Sequence, residues 1–233
     1  MRRIAARKIL LALISLFVYL HFTAAQSSGD YINAIMAGIS NNGLSNDKEY
    51  LTAGDRTYIV GTQSGNFPDL GGHVKGEMGG LWMPPVKLLD GFWMKISDVD
   101  EKSDAWMKEA KQFINYPYGN KFIYAPVLNG IEVERFQFCP QARAGIVIEY
   151  ELKNESHQQR NLQLEFVVKT DVSPVWFSTE NNIIDAPDTV QWLRDKHLFA
   201  ASDTKHAWFA LWGSKLAAST HNTNAIAPVE TIG

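Results

Sequence analysis

A single cysteine, Cys139, occurs in 233 residues. No internal disulfide is therefore possible, and stability has to come from the core. A nucleophilic thiol would need a depressed pKa and a neighbouring base, which nothing in the sequence indicates, so Cys139 reads as a small buried apolar side chain. The six histidines, at 21, 73, 157, 197, 206 and 221, show no metal-ligand spacing. The acidic group Asp98, Asp100, Glu101 and Asp104 lacks the turn glycine and the terminal glutamate of a calcium loop. No metal or other cofactor is expected. Outside the N-terminus lysine and arginine are scattered singly, which excludes nucleic acid as a partner, since polyanion binding needs clustered cations. There is no internal repeat and no low-complexity tract.

One apolar run is present, at the start. Arg2, Arg3, Arg7 and Lys8 precede apolar Ile9 to Phe22, and Thr23-Ala24-Ala25 offers small residues for cleavage before Gln26. This is the layout of a secretory signal peptide over residues 1–25. The run is shorter than the roughly 20 residues of a spanning helix and is broken by Ser15 and His21. Membrane contact is thus expected only through this peptide, with the mature chain exported to a periplasmic or extracellular location. Losing residues 1–25 removes four of the 22 basic residues and none of the 25 acidic ones, leaving a formal charge of about −7. An acidic exported domain suits a neutral ligand such as a sugar.

Beyond the leader, a polar lead-in over 26–55 carries a weak helical pattern at Tyr31, Ile32, Ile35, Met36 and Ile39. From residue 56 the period changes to two, clearest in Ile146, Ile148, Tyr150, Leu152 and in Leu162, Leu164, Phe166, Val168, the mark of half-buried strands. Between them KNESHQQRN reads as a hairpin loop. Further strands are expected at 58–63, 86–96, 121–127, 131–138 and 208–212. One helix is predicted, capped by Ser103 or Asp104, with Trp106, Met107, Ala110, Phe113 and Ile114 at spacings of three and four. Asp90-Gly91 and Asp171 look like turns. Many short strands imply a mainly β fold, an antiparallel, supersandwich-like β-sandwich with one short helix, occupying 56–216; residues 217–233 read as a linker or truncated tail.

Six glycines, Gly65, Gly71, Gly72, Gly76, Gly79 and Gly80, crowd one stretch beside His73, Lys75, Glu77 and Trp82. Glycine at that density permits a main chain folded back on itself to present a few polar groups. This segment, DLGGHVKGEMGGLWMPPVKLLDGFW, together with YPYGN at 116–120, ERFQFCP at 134–140 and KTDVSPVWFS at 169–178, resembles the N-terminal region of bacterial glycogen debranching enzymes or amylo-α-1,6-glucosidase-like glycoside hydrolases. The resemblance spans roughly residues 56–214. It implies an all-β domain preceding an (α/α)6 barrel that holds the catalytic carboxylates, so it supplies no catalytic residue here, because glycosidases need two carboxyls across the scissile bond and the family's pair lies in the barrel. The implied role is a non-catalytic domain that packs on that barrel and shapes an α-glucan or oligosaccharide site. The candidate substrate-binding residues are His73, Lys75 and Glu77 in the glycine-rich loop, with Trp82 and Trp176, whose neighbouring prolines place them on rims or loops. Trp93, Tyr116 and Tyr118 are further aromatics that could carry a sugar ring. Two alternatives remain: a stand-alone carbohydrate-binding module, and a small epimerase- or lyase-like sandwich enzyme using His73 and Glu77 as acid and base. Arg135, beside Glu134, is expected to form a structural ion pair, and Glu132 and Glu134 to share a solvated strand face.

Overall fold

A computed structural model describes residues 33, 36–42, 48–68 and 78–225. The leader, the glycine-rich residues 69–77 with His73, Lys75 and Glu77, and the last eight residues lie outside the described residues. Residues 40–233 cluster as one unit; of residues 1–39, only Asn33 and Met36 to Ile39 are described, and Asn33, Met36 and Ala37 are helical.

The fold is mainly β, with three antiparallel sheets. The strands are β1 (Ile39–Asn41), β2 (Glu49–Ala53), β3 (Tyr58–Thr62), β4 (Gly80–Met83), β5 (Val86–Asp98), β6 (Ser103–Trp106), β7 (Ala110–Tyr116), β8 (Gly119–Leu128), β9 (Ile131–Phe138), β10 (Val147–Asn154), β11 (Leu162–Pro174), β12 (Asp188–Leu193), β13 (Leu198–Asp203) and β14 (Phe209–Gly213). The first sheet runs β1-β7-β8-β9-β10, the second β11-β5-β4-β3-β2 with β6 also on β5, and the third β12-β13-β14. Sheets one and two face each other across an aromatic core, in which Tyr50 of β2 meets Phe113 and Phe122 at ring separations of 5.9 and 5.0 Å. Phe67 inserts from the segment after β3 and packs 4.8 Å from Phe92 and 5.9 Å from Trp93. The third sheet lies against β11, with Ala201 and Ala210 buried.

Period-two alternation accounts for the strands that position the rest. In β9, Ile131, Val133, Arg135 and Gln137 point inward while Glu132, Glu134, Phe136 and Phe138 point outward. The helix expected from 103 to 114 is instead β6 and β7. A bulge between Ala110 and Gln112 breaks the two-residue period, so buried Ala110 and Phe113 stand three apart and imitate a helical stripe. KNESHQQRN is not a hairpin: β10 pairs with β9 and β11 with β5, so this loop carries the chain from one sheet to the other. Asp90-Gly91 lies inside β5 and not at a turn. A Cβ on Gly91 would stand 2.6 Å from the Phe67 ring, so this glycine serves close packing. Asp171 likewise lies inside β11. In the C-terminal tail His221 stacks on Trp192 at 4.6 Å.

Candidate functional site

The outward face of the first sheet carries a strip of four aromatic rings. Tyr116 ends β7, Tyr118 sits in the turn to β8, and Phe136 and Phe138 occupy the outward positions of β9. Tyr116 and Tyr118 stack at 5.5 Å with 24° between their planes. Phe136 lies 6.2 Å from Tyr116, 6.1 Å from Tyr118 and 6.0 Å from Phe138. Gly119 makes this possible, since a Cβ there would come within 2.9 Å of the Phe136 ring. The strip is bordered by Lys121, paired across the strands with Phe136, whose Nζ donates to Glu134 Oε2 at 2.6 Å. The hydrogen bond to Glu134 raises the Lys121 pKa against the cost of partial burial. Tyr118 is 50% exposed. Phe136 stands at 71° and 59° to the two tyrosines, so the strip is a cluster of tilted rings, and with the paired cation and carboxylate it offers an aromatic contact to the apolar face of a ligand ring and hydrogen bonds to its edge hydroxyls.

A second aromatic row crosses the third sheet, Trp192, Phe199 and Trp212 in register. Phe199 and Trp212 stack at 5.3 Å, and His221 already covers Trp192. The row on the first sheet is the one whose end ring is open.

Of the sequence-derived site residues only Trp82 and Trp176 are among the described residues, and their settings differ. Trp82 is 4% exposed in β4, an interior strand, which corrects its expected place on a rim. The prolines beside it form the β4–β5 turn, leaving the tryptophan within the strand. Its indole nitrogen donates to the Gly79 carbonyl at 3.2 Å, and its ring stacks on Tyr58. Trp93 is buried too. Trp176 is exposed, as expected, and opens a 3-10 turn over Trp176–Asn181 beside exposed Phe177. Arg135 forms no ion pair with Glu134. The alternation turns it inward, where its guanidinium lies 3.9 Å from the Phe122 ring centre.

Charge concentrates at one place inside the second sheet. Lys87 is buried in β5, with its Nζ 2.6 Å from Asp90 Oδ1 and 2.8 Å from Asp171 Oδ2, and Lys169 holds the other Asp90 oxygen at 2.5 Å. Burial pushes the Asp171 pKa up, and the Lys87 charge only partly offsets this. Burial also acts on Asp90, but there Lys87 and Lys169 prevail and its pKa is lowered. Carboxyls moved in opposite directions are a pattern of acid–base sites. Here the same ammonium occupies both, which makes the cluster a tie between β5 and β11. At Asp98, the Glu101 and Asp100 N–H groups donate to Oδ1 at 2.9 Å and Arg160 to Oδ2 at 2.5 Å, so that carboxylate is a structural acceptor. Among the described residues no group of histidine, cysteine or acidic side chains could hold a metal ion. Burial raises the pKa of the Cys139 thiol.

Compared with protein-family models, with curated proteins and with solved structures, the chain gives no match.

Proposed function

We propose that this chain is a non-catalytic carbohydrate-contacting β-domain of an exported glycoside hydrolase of the debranching type, and that the strip Tyr116, Tyr118, Phe136 and Phe138 is where an α-glucan or oligosaccharide lies. The observation that carries this is the strip itself: four neighbouring rings on an outward sheet face, one of them half open, beside the Lys121–Glu134 pair. Ordinary outward positions of a half-buried strand are polar, so aromatic residues there point to a ligand. The exposed apolar segment Trp176, Phe177, Ile183 and Ile184 suits a second contact, the packing surface for a catalytic barrel. It is apolar and follows β11 directly in the chain.

Calorimetric titration of the purified mature chain with maltooligosaccharides tests this. Binding should be measurable and should weaken at least about tenfold in Tyr118→Ala, whose circular dichroism and melting stay close to wild type, a loss of roughly 1.4 kcal/mol. No oligosaccharide binding by the wild-type chain, or equal binding by Tyr118→Ala, would sink the proposal. Hydrolysis of an α-glucan by this chain alone would refute its non-catalytic part.

A further inference from the structure

A strand at the edge of a sheet leaves one row of its N–H and C=O groups without a strand partner, and proteins blunt such rows with charge, proline, bulges or brevity. The three sheets end in β1 and β10, in β2 and β11, and in β12 and β14. β1 is three residues long. β10 carries Glu149, Glu151 and Lys153, β11 carries Glu165 and Lys169, β2 begins with Glu49 and β12 with Asp188. β14 has none of these devices. It reads Phe209-Ala210-Leu211-Trp212-Gly213, no charged residue or proline occurs from Ala207 to Ser214, and its register with β13 runs without a bulge. Among the described residues no strand pairs with its other side.

The side chains of this edge sort cleanly between its faces. Ala210 is buried and Trp212 half-buried, whereas Phe209 is 60% and Leu211 53% exposed on the opposite face. An uncharged edge with two large apolar side chains standing out fits a strand of the same character, and the chain itself supplies one. Set antiparallel against its own copy about Leu211, the midpoint of the strand, all five residues of β14 find partners. Leu211 then faces its own counterpart, Phe209 faces Gly213 and Ala210 faces Trp212. An aromatic ring across from an edge glycine and an aliphatic pair beside it are favourable cross-strand neighbours. Charge selects this register. Centred on Ala210 instead, the pairing would oppose Lys205 and Lys215, whereas centred on Leu211 it sets them against Ala217 and Ala207.

We propose that β14 pairs edge to edge with β14 of a second copy of this chain, antiparallel and symmetric about Leu211, joining two three-stranded sheets into one of six strands. The pairing satisfies the open row of backbone groups and covers Phe209 and Leu211 of both copies. It is small beside the roughly 1,200 Å² of a standard interface, so a dimer that dissociates at about 10–100 µM is expected. The inference is independent of the carbohydrate reading.

Sedimentation equilibrium of the purified mature chain tests it. The weight-average mass should climb with concentration from that of the monomer and level off at twice that value. Phe209→Lys and Leu211→Lys put charge on the open edge at exposed positions, so melting should stay close to wild type while association weakens at least about tenfold in each. Leu51→Lys, at a leucine 56% exposed on the edge strand β2, should leave association unchanged. The register has its own readout. Leu211→Cys should give a disulfide-linked dimer under mild oxidation and Leu51→Cys should not, the native Cys139 being buried. A mass that stays monomeric up to millimolar concentration, one that passes the dimer without levelling, equal weakening by Leu51→Lys, or no cross-link in Leu211→Cys would each overturn the proposal.

Discussion

The two faces of the first sheet differ most along the second half of β9. Over Ile131 to Glu134 the strand is conventional, with Ile131 and Val133 in the core and Glu132 and Glu134 outside. Over Arg135 to Phe138 the assignment reverses: Arg135 and Gln137 are buried, and Phe136 and Phe138 face outward. The backbone register is continuous through both halves, paired with β10 from Asn154 to Val147. The reversal is therefore a property of the side chains, and each inverted residue has to be compensated by its surroundings. Inside, Phe122, Phe92 and a chain of polar contacts through Gln137, Thr52, Asn120 and Asn115 surround the polar pair. Outside, the phenylalanines lean on Tyr116 and Tyr118. The inward pair is answered within the core, whereas the outward rings rest only on one another, and the proposed function rests on that outward side of the half-strand.

The sharpest way to break the comparison is to truncate a ring on each face. Phe122 is 0% exposed and touches Tyr50, Phe113 and the Arg135 guanidinium. Phe122→Ala should cost about 3–5 kcal/mol by urea denaturation, because it opens a cavity and strips a buried cation of its closest π face. A loss below about 1.5 kcal/mol would show that the inner face is not the tightly packed side, and the contrast would collapse.

Much of this was legible in the sequence, and the failures have local causes. The bounds of β9 are those expected, as alternation in Ile131 to Phe138 is uninterrupted. The same alternation, followed to the end of the strand, places Arg135 inside and Phe136 and Phe138 outside; the structural ion pair expected of Arg135 took no account of that inward position. Tyr116 and Tyr118 were readable as possible sugar-stacking rings, but not that β9 brings two phenylalanines to them, which is a matter of pairing register. Trp82 and Trp176 share a proline-flanked setting and have opposite fates. The prolines after Trp82 form a tight turn that leaves Trp82 inside a four-residue strand, whereas Pro174 ends a strand and releases Trp176 to the surface. The helix expected at 103–114 failed because a bulge is invisible to periodicity. The strands β12 and β13 went unread. His73, Lys75 and Glu77 lie outside the described residues.

Alkaline pH should separate the faces at intermediate magnitude. Burial lifts the Tyr50 hydroxyl from 10.0 to about 12, with Arg135 opposing, and raises Tyr124 and Tyr150 as well. An acid whose folded pKa lies above its unfolded one keeps its proton longer in the native state. The native form then binds more protons, and stability falls as pH rises from 10 through the folded value. For Tyr50 this amounts to on the order of 2–3 kcal/mol by pH 12. Tyr50→Phe should flatten the decline in denaturation midpoint between pH 10 and 12. An unchanged slope would mean that the inner-face phenol ionises without resistance.

The smallest expected effect on stability is also the one that tells most about the outer face. Phe136 is half-buried, and its contacts are the three rings of the strip together with Gly119. Phe136→Ala removes those aromatic pairs without opening the core, so it should cost about 1–2 kcal/mol. Its effect on oligosaccharide binding should be as large as that of Tyr118→Ala, because Phe136 is the ring against which Tyr116 and Tyr118 both rest, and a platform whose rings are free to rotate must be ordered at the expense of affinity. Phe136→Leu separates the two roles: it restores most of the buried area and hence the stability, but not the flat face, so melting recovers while binding stays weak. Recovery of both together would make the strip a packing device and return the outward aromatics to ordinary surface cover.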